Sequence, residues 1–327
     1  MTRIITKSDT GLRYNVWYFF TVFFLTAFVY FFWFGDYVLF FQEQQSLFIY
    51  SWEHLREYFI KPGGLLELSG RFLTQFYTGR LPGSIILSVI LTAPAIIFYK
   101  TVKKTDPGTS FPALFFLIPS GLMILMQTHY YHTMTFNLGF VLVLLCFLPA
   151  ANIWEKRRNI LVPLIFPLLY YIAGAYMLVF SLLYIAYLLF HKRGRQSYTN
   201  IVILIIVTIV TIVIFKEMLF NQTYNQILFY PLPYVNNLTH KIIYYILVAY
   251  LLLIPFFMKL PFTPLSRKLV KGFLVPFSEV IFFVSLIFLL VRLHNPQTGR
   301  VIRLEKLVFE EKWQEAVDYY ERYPANN

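Results

Sequence analysis

Residues 156–195 read KRRNILVPLIFPLLYYIAGAYMLVFSLLYIAYLLFHKRGR, an apolar run with Lys156, Arg157 and Arg158 before it and Lys192, Arg193 and Arg195 after it. Clusters of lysine and arginine stay on the cytoplasmic side of a bilayer, so the chain must cross an even number of times between these two. One crossing takes roughly 20 apolar residues at helical rise. The run is too long for one span, and Gly174 near its middle supplies a tight turn between two short ones.

Outward from this hairpin, apolar runs at 16–34, 82–99, 111–126, 133–150, 160–172, 175–190, 201–215, 242–258 and 273–291 predict an all-α bundle of about nine transmembrane spans. The composition agrees: 58% of the 327 residues are hydrophobic and only 13% charged. A water-soluble chain of this size would lack the polar surface to cover such a core. Segments assigned to the inner side hold Arg3, Lys7, Arg13, Lys100, Lys103, Lys104, the two clusters above, Lys259, Arg267, Lys268 and Lys271, against only Asp9, Asp106 and Glu155. The bias predicts a multi-pass protein of the bacterial inner (cytoplasmic) membrane, N-terminus cytoplasmic and C-terminus extracytoplasmic. The net charge of +12 is thereby spent on topology, and no nucleic-acid surface is expected. The bulky residues Phe31, Phe32, Trp33 and Phe34 close the first apolar run where a signal peptide would carry small ones, so it reads as a retained span. The single Cys146 excludes an intrachain disulfide.

The transmembrane domain is placed at 1–293. Within it, the outer segment 35–81 shows two amphipathic periods, Phe48, Trp52, Leu55, Phe59 and then Leu65, Leu68, Phe72, Phe76, separated by Lys61-Pro62-Gly63-Gly64. Both predict helices lying in the outer interface. Segment 220–241, rich in Asn, Pro and Tyr, reads as an outer cap, and Asn221 and Asn237 head N-x-T tripeptides there. Residues 294–327 form a charged helical tail, in which Trp313, Ala316, Val317, Tyr320 and Pro324 fall at intervals resembling half a tetratricopeptide repeat. One half repeat buries no face of its own, so the tail packs on the membrane domain or on a partner, or the chain is a shortened form of a longer protein.

Several side chains invite chemistry. Asp36 follows the first span, with Glu43 and Gln42, Gln44 and Gln45 beyond it; carboxylates at a membrane boundary suit a base or a site for a pyrophosphate-bound ion, while helix capping is the bland alternative. Arg56, Arg71 and Arg80, with Lys61, stand in an outer segment that positive-inside chains keep poor in cations, and a lipid phosphate would explain them; pairing with Glu53, Glu57 and Glu67 would too. His129 and His132 share an outer turn but lack further ligands in sequence, so no metal site is assigned. Glu279 lies inside the last span, where a carboxylate must face protein or water, and a hydrogen bond from a neighbouring helix is the simplest account.

Glu43-Gln44-Gln45, Pro62-Gly63-Gly64-Leu65, Phe72-Leu73-Thr74-Gln75-Phe76-Tyr77 and the tail around 313–324 resemble a bacterial family of polytopic membrane proteins, a domain of unknown function. That resemblance implies an inner-membrane location and a helical-repeat domain in longer relatives. The layout of span, outer carboxylate, two interfacial helices and second span also resembles membrane glycosyltransferases that use polyprenyl-linked sugars. By that resemblance Asp36 and Glu43 are candidate catalytic residues, and Arg56, Arg71 and Arg80 would bind the phosphate of a polyprenyl-phosphate lipid. The contrasting expectation is a non-enzymatic envelope scaffold holding an extracytoplasmic protein partner through the tail. No cofactor is assigned.

Overall fold

The computed structural model describes residues 16–46, 48–105, 112–153, 155–191, 194–220, 222–259 and 275–323. Arg3, Lys7, Asp9, Arg13, Asp106, Lys192, Arg193, Arg267, Lys268 and Lys271, together with Asn221 and Pro324, lie outside them. The described residues are helical without strands: α1 (Val16–Val29, continued by a π-turn Tyr30–Phe34), α2 (Asp36–Gln45), α3 (Trp52–Phe59), α4 (Gly64–Thr74), α5 (Arg80–Thr105), α6 (Ala113–Gln127), α7 (Met134–Asn152), α8 (Glu155–Ala173), α9 (Tyr176–His191), α10 (Arg195–Ile214, continued by Phe215–Leu219), α11 (Tyr224–Phe229), α12 (Leu238–Lys259), α13 (Val275–Leu293), α14 (Pro296–Phe309) and α15 (Trp313–Arg322).

Five of these are long and apolar enough to cross a membrane: Val16–Phe34, Arg80–Thr105, Met134–Asn152, Arg195–Leu219 and Leu238–Lys259. A sixth arises if α13 and α14, bent by 62° at their junction, count as one broken span. α6, the 159–173 part of α8, and α9 are apolar but shorter. The chain is therefore a helical membrane protein with five to six candidate spans by length and composition.

α5 lies at the centre, packed on α1, α6 and α7, while α9 joins α7 to α12. Its inward side carries Ser84, Ser88, Thr92 and Thr101, all buried. Small hydroxyl residues let neighbouring helices approach, and three of the four are satisfied inside the helix: Ser88 Oγ donates to the Ser84 carbonyl at 2.6 Å, Thr92 Oγ1 to the Ser88 carbonyl at 2.7 Å and Thr101 Oγ1 to the Ile97 carbonyl at 2.8 Å. Pro94 interrupts the α5 ladder, and beside it the Ala95 amide donates to Ser120 Oγ of α6 at 3.1 Å. Glu279 answers its own burial in the same way, as its Oε1 accepts from the Ala113 amide at 2.9 Å, at the first turn of α6. An orphan amide of a helix start thus meets the carboxylate of a neighbouring helix. On α10, by contrast, Val202, Ile205, Ile206, Ile209 and Val213 face outward, as a lipid-facing helix requires.

A turn joins α8 to α9 at Gly174, which has φ +57. Around it α2 to α4, the turn 128–133 and segment 222–237 converge at one end of the bundle. The Gly63 amide donates to the Tyr171 carbonyl at 2.9 Å, the Ala175 amide to the Tyr230 carbonyl at 2.9 Å, and Gln42 Nε2 to the His132 carbonyl at 2.7 Å. At the opposite end, Tyr187 OH donates to the Ala151 carbonyl at 3.0 Å and Asn200 Nδ2 to Asn159 Oδ1 at 2.7 Å.

Candidate functional site

Two assemblies form at the convergent end. The first surrounds a cavity of about 890 Å³ walled by α2, α4, the turn 128–133, segment 230–237 and the start of α12. Gln42, only 3% exposed, holds the turn: its Nε2 reaches the carbonyls of Tyr130 at 3.3 Å and His132 at 2.7 Å. Below the turn, His132 Nε2 lies 3.2 Å from Asn137 Oδ1, and Asn137 Nδ2 donates to Gln127 Oε1 at 2.6 Å. Since Asn137 Oδ1 only accepts, His132 Nε2 carries the proton. Aromatic rings complete the wall, with Phe41 edge-on to Tyr130 at 4.7 Å and to Tyr131 at 5.2 Å between centroids.

Glu67 ties the far side together. Its carboxylate takes Lys61 at 2.5 Å, Arg71 at 3.0 Å and the hydroxyl of Tyr230 from segment 230–237. Lys61 Nζ also stands over the Tyr58 and Tyr230 rings, at 5.1 and 4.8 Å. Three surface segments are thereby pinned by one acid.

The second assembly docks the tail. Asp36, 7% exposed, pairs through Oδ2 with Arg80 at 2.8 Å and through Oδ1 with Arg303 at 2.7 Å. Tyr37 and Val38 of α2 meet Ile302 of α14 in a small apolar cluster beside it. A cleft of about 660 Å³ runs from Asp36 between α2 and the α14–α15 pair.

The sequence candidates separate accordingly. Asp36 and Arg80 are brought together, 44 positions apart, but against each other and Arg303. Arg71 reaches the cavity wall already paired with Glu67. Glu43 is half-buried and accepts from its neighbour Gln44 at 3.0 Å, and Arg56 is exposed on α3. Glu279 belongs to the bundle interior, as a helix cap. His129 and His132 gain a third histidine from α12, the His129 and His240 rings standing 4.8 Å apart. Among the described residues no group of three or more His, Cys, Asp or Glu is arranged to hold a metal. The pairing of outer cations with Glu67, one of the two readings the sequence offered, holds for Lys61 and Arg71; Gln42 was noted only as part of a polar cluster, and His240 and Arg303 were not singled out, their partners lying far along the chain.

Burial pushes His132 down to about 3 from an ordinary value near 6.5, with the Asn137 hydrogen bond opposing and His240 and His129 adding slightly; burial also lowers His129. A depressed folded value means the unfolded chain takes the proton first. The stability from neutral His132 is complete above about 6.5 and declines as pH falls toward about 3. Acidification from pH 7 to pH 5 should therefore cost about 1–2 kcal/mol through this residue. Melting of His132→Gln and native protein across that range checks this: the variant's pH slope should be shallower.

One family model, described as a family of unknown function (DUF6057), matches residues 13–327, and the chain belongs to that family. Neither a curated protein nor a solved structure matches it.

Proposed function

We propose, from the two assemblies, that this family member binds the head of a lipid-linked sugar in the cavity at the outer face of a bacterial inner membrane. The observation that carries the reading is the cavity itself. A space of about 890 Å³ walled by amide, histidine and aromatic side chains lies at one end of the helix bundle. In this reading α6, α8, α9 and α13 are spans as well, giving nine crossings with N-terminus inside and tail outside. The alternation of segments between the two ends of the bundle supports that count. α3 and α4 are interfacial: Ile49, Tyr50, Trp52, Phe59, Ile60, Phe72 and Phe76 stay exposed, an apolar rim suited to the headgroup region.

The glycosyltransferase-like layout is retained with altered roles. Both oxygens of Asp36 are engaged by guanidiniums, which favours a docking carboxylate over a base. Glu67, with three partners, is the acid on the cavity wall among the described residues. The geometry thus supports recognition of the lipid head more strongly than acid–base transfer. Arg56, exposed among the rim aromatics, is the cation best placed for the lipid phosphate.

A photoreactive polyprenyl-phosphate sugar, applied to the protein in lipid nanodiscs, tests the reading. Cross-links concentrated in 128–136 and 230–240 are expected; cross-links spread evenly along outward faces such as that of α10 would overturn it.

A scaffold role has one observation in its favour, the exposure of Trp313, Val317 and Tyr320 on the tetratricopeptide-like α15. It would gain if deleting 299–327 abolished co-purification of a defined envelope protein while the cross-links persisted.

A further inference from the structure

Hydrogen-bond accounting at the cavity wall leaves two acceptors over. Gln42 presents its amide nitrogen to two carbonyl oxygens, those of Tyr130 and His132, so the orientation of the amide is unambiguous. Its Oε1 is buried and has no partner. His240, 6% exposed, has Nε2 3.0 Å from Thr128 Oγ1. The Thr128 hydroxyl proton is spent on the Leu125 carbonyl at 2.8 Å, which makes His240 Nε2 the donor and leaves Nδ1 as the lone-pair nitrogen of the neutral ring. That Nδ1 is likewise buried and unpartnered. Both residues line the same cavity, Gln42 from α2 and His240 from α12.

Charge points the same way. Among the described lining residues the cation is Arg71 and the anion is Glu67, and they pair with each other. A bare phosphate entering here would find no unpaired cation, whereas a neutral group carrying O–H donors would, with a small rotation of either side chain toward the cavity, satisfy two acceptors that are closed to water and whose isolation is costly. Phe41, Tyr130 and Tyr131 line the same cavity, their rings packed against one another. We infer that Gln42 Oε1 and His240 Nδ1 are the specificity-determining acceptors of the cavity, and that its ligand is a neutral, hydroxyl-rich ring such as the sugar of a glycolipid. This deepens the proposed function and rests on it: the sugar occupies the cavity, and the phosphate stays outside it.

The test uses the full chain in nanodiscs of phosphatidylethanolamine and phosphatidylglycerol, with a photoreactive decyl glucoside as probe. Its fully O-methylated analogue keeps the ring and its acceptors but has no donor. A site built to receive hydroxyl donors rejects an analogue lacking them, so labelling of 128–136 and 230–240 should favour the glucoside by at least about tenfold. His240→Phe and Gln42→Leu should each shrink that preference, and the ligand pair keeps the test valid should either variant misfold. Equal labelling by the methylated probe, or displacement of the glucoside by decyl phosphate as readily as by unlabelled decyl glucoside, would overturn the inference. If neither glucoside labels the cavity but the polyprenyl-phosphate sugar does, recognition through these acceptors fails while the proposed function stands. If no probe reaches the cavity, both fall.

Discussion

Gly174→Ala is expected to lower the stability of the convergent end by about 2–4 kcal/mol, combining the left-handed backbone cost with overpacking. Gly174 has φ +57, and a Cβ there would lie 2.5 Å from the Tyr230 carbonyl oxygen and 2.9 Å from Pro231 Cδ. Neither neighbour is a flexible side-chain end. The Tyr230 oxygen is held by the Ala175 amide, and Pro231 also abuts Gly63, itself at φ +77. The hairpin turn, the α3–α4 break and segment 230–237 thus meet across two glycines with no space for a methyl. Hydrogen exchange should rise at Ala175 and across 222–237, with a fall in melting temperature. Gly194→Ala provides the control, since nothing lies within 4 Å of a Cβ there, and no change is expected.

Asp36→Asn should release the tail. The native carboxylate is buried between Arg80 and Arg303, whose side chains are 55% and 41% exposed, so solvent already screens part of the attraction. The amide loses the charge and leaves two guanidiniums facing each other, at a cost of about 1–3 kcal/mol of docking. Faster protease cleavage within 296–323 would report it, and Arg303→Gln should behave alike. Glu43→Gln offers the comparison, because its contact is with the adjacent Gln44, and its effect should stay within about 0.5 kcal/mol. A catalytic role shared by the two carboxylates would make the two variants alike in activity; a docking role separates them in tail exposure.

The parts of the architecture legible in the sequence are those governed by local composition. The α8–α9 hairpin follows from basic clusters around an apolar run with a central glycine, and α14 and α15 follow from their amphipathic period. Helix lengths were less legible. α6 and α9 are apolar over fewer residues than a span usually takes, because Pro112, Thr128 and Gly174 end them early, and composition alone does not say whether short apolar helices cross.

The site was legible in its materials and not in its pairings. Asp36, Arg71, Arg80, His129 and His132 could be picked out as unusual for their positions. Their partners sit far off: Arg303 is 267 positions from Asp36, Tyr230 is 163 from Glu67, and His132 is 90 from Gln42. Within α14, Arg303 reads as one more solvated charge among Arg300, Glu305 and Lys306. His240, at the start of an apolar helix, carries no local mark of its place, which shows only through its contact with Thr128. Such roles come from tertiary pairing, which no local period records.

Segments 36–78, 128–133, 222–237 and 294–323 are expected to share a face of the membrane, opposite the C-terminal ends of α5 and α9. Single cysteines at Arg56, Tyr234 and Glu315, and at Lys104 and Tyr198, in a Cys146→Ser background test it with a membrane-impermeant thiol reagent on intact spheroplasts. The first three should label without permeabilisation and the last two only after it; labelling of Lys104 or Tyr198 together with Arg56 on intact spheroplasts would contradict the account.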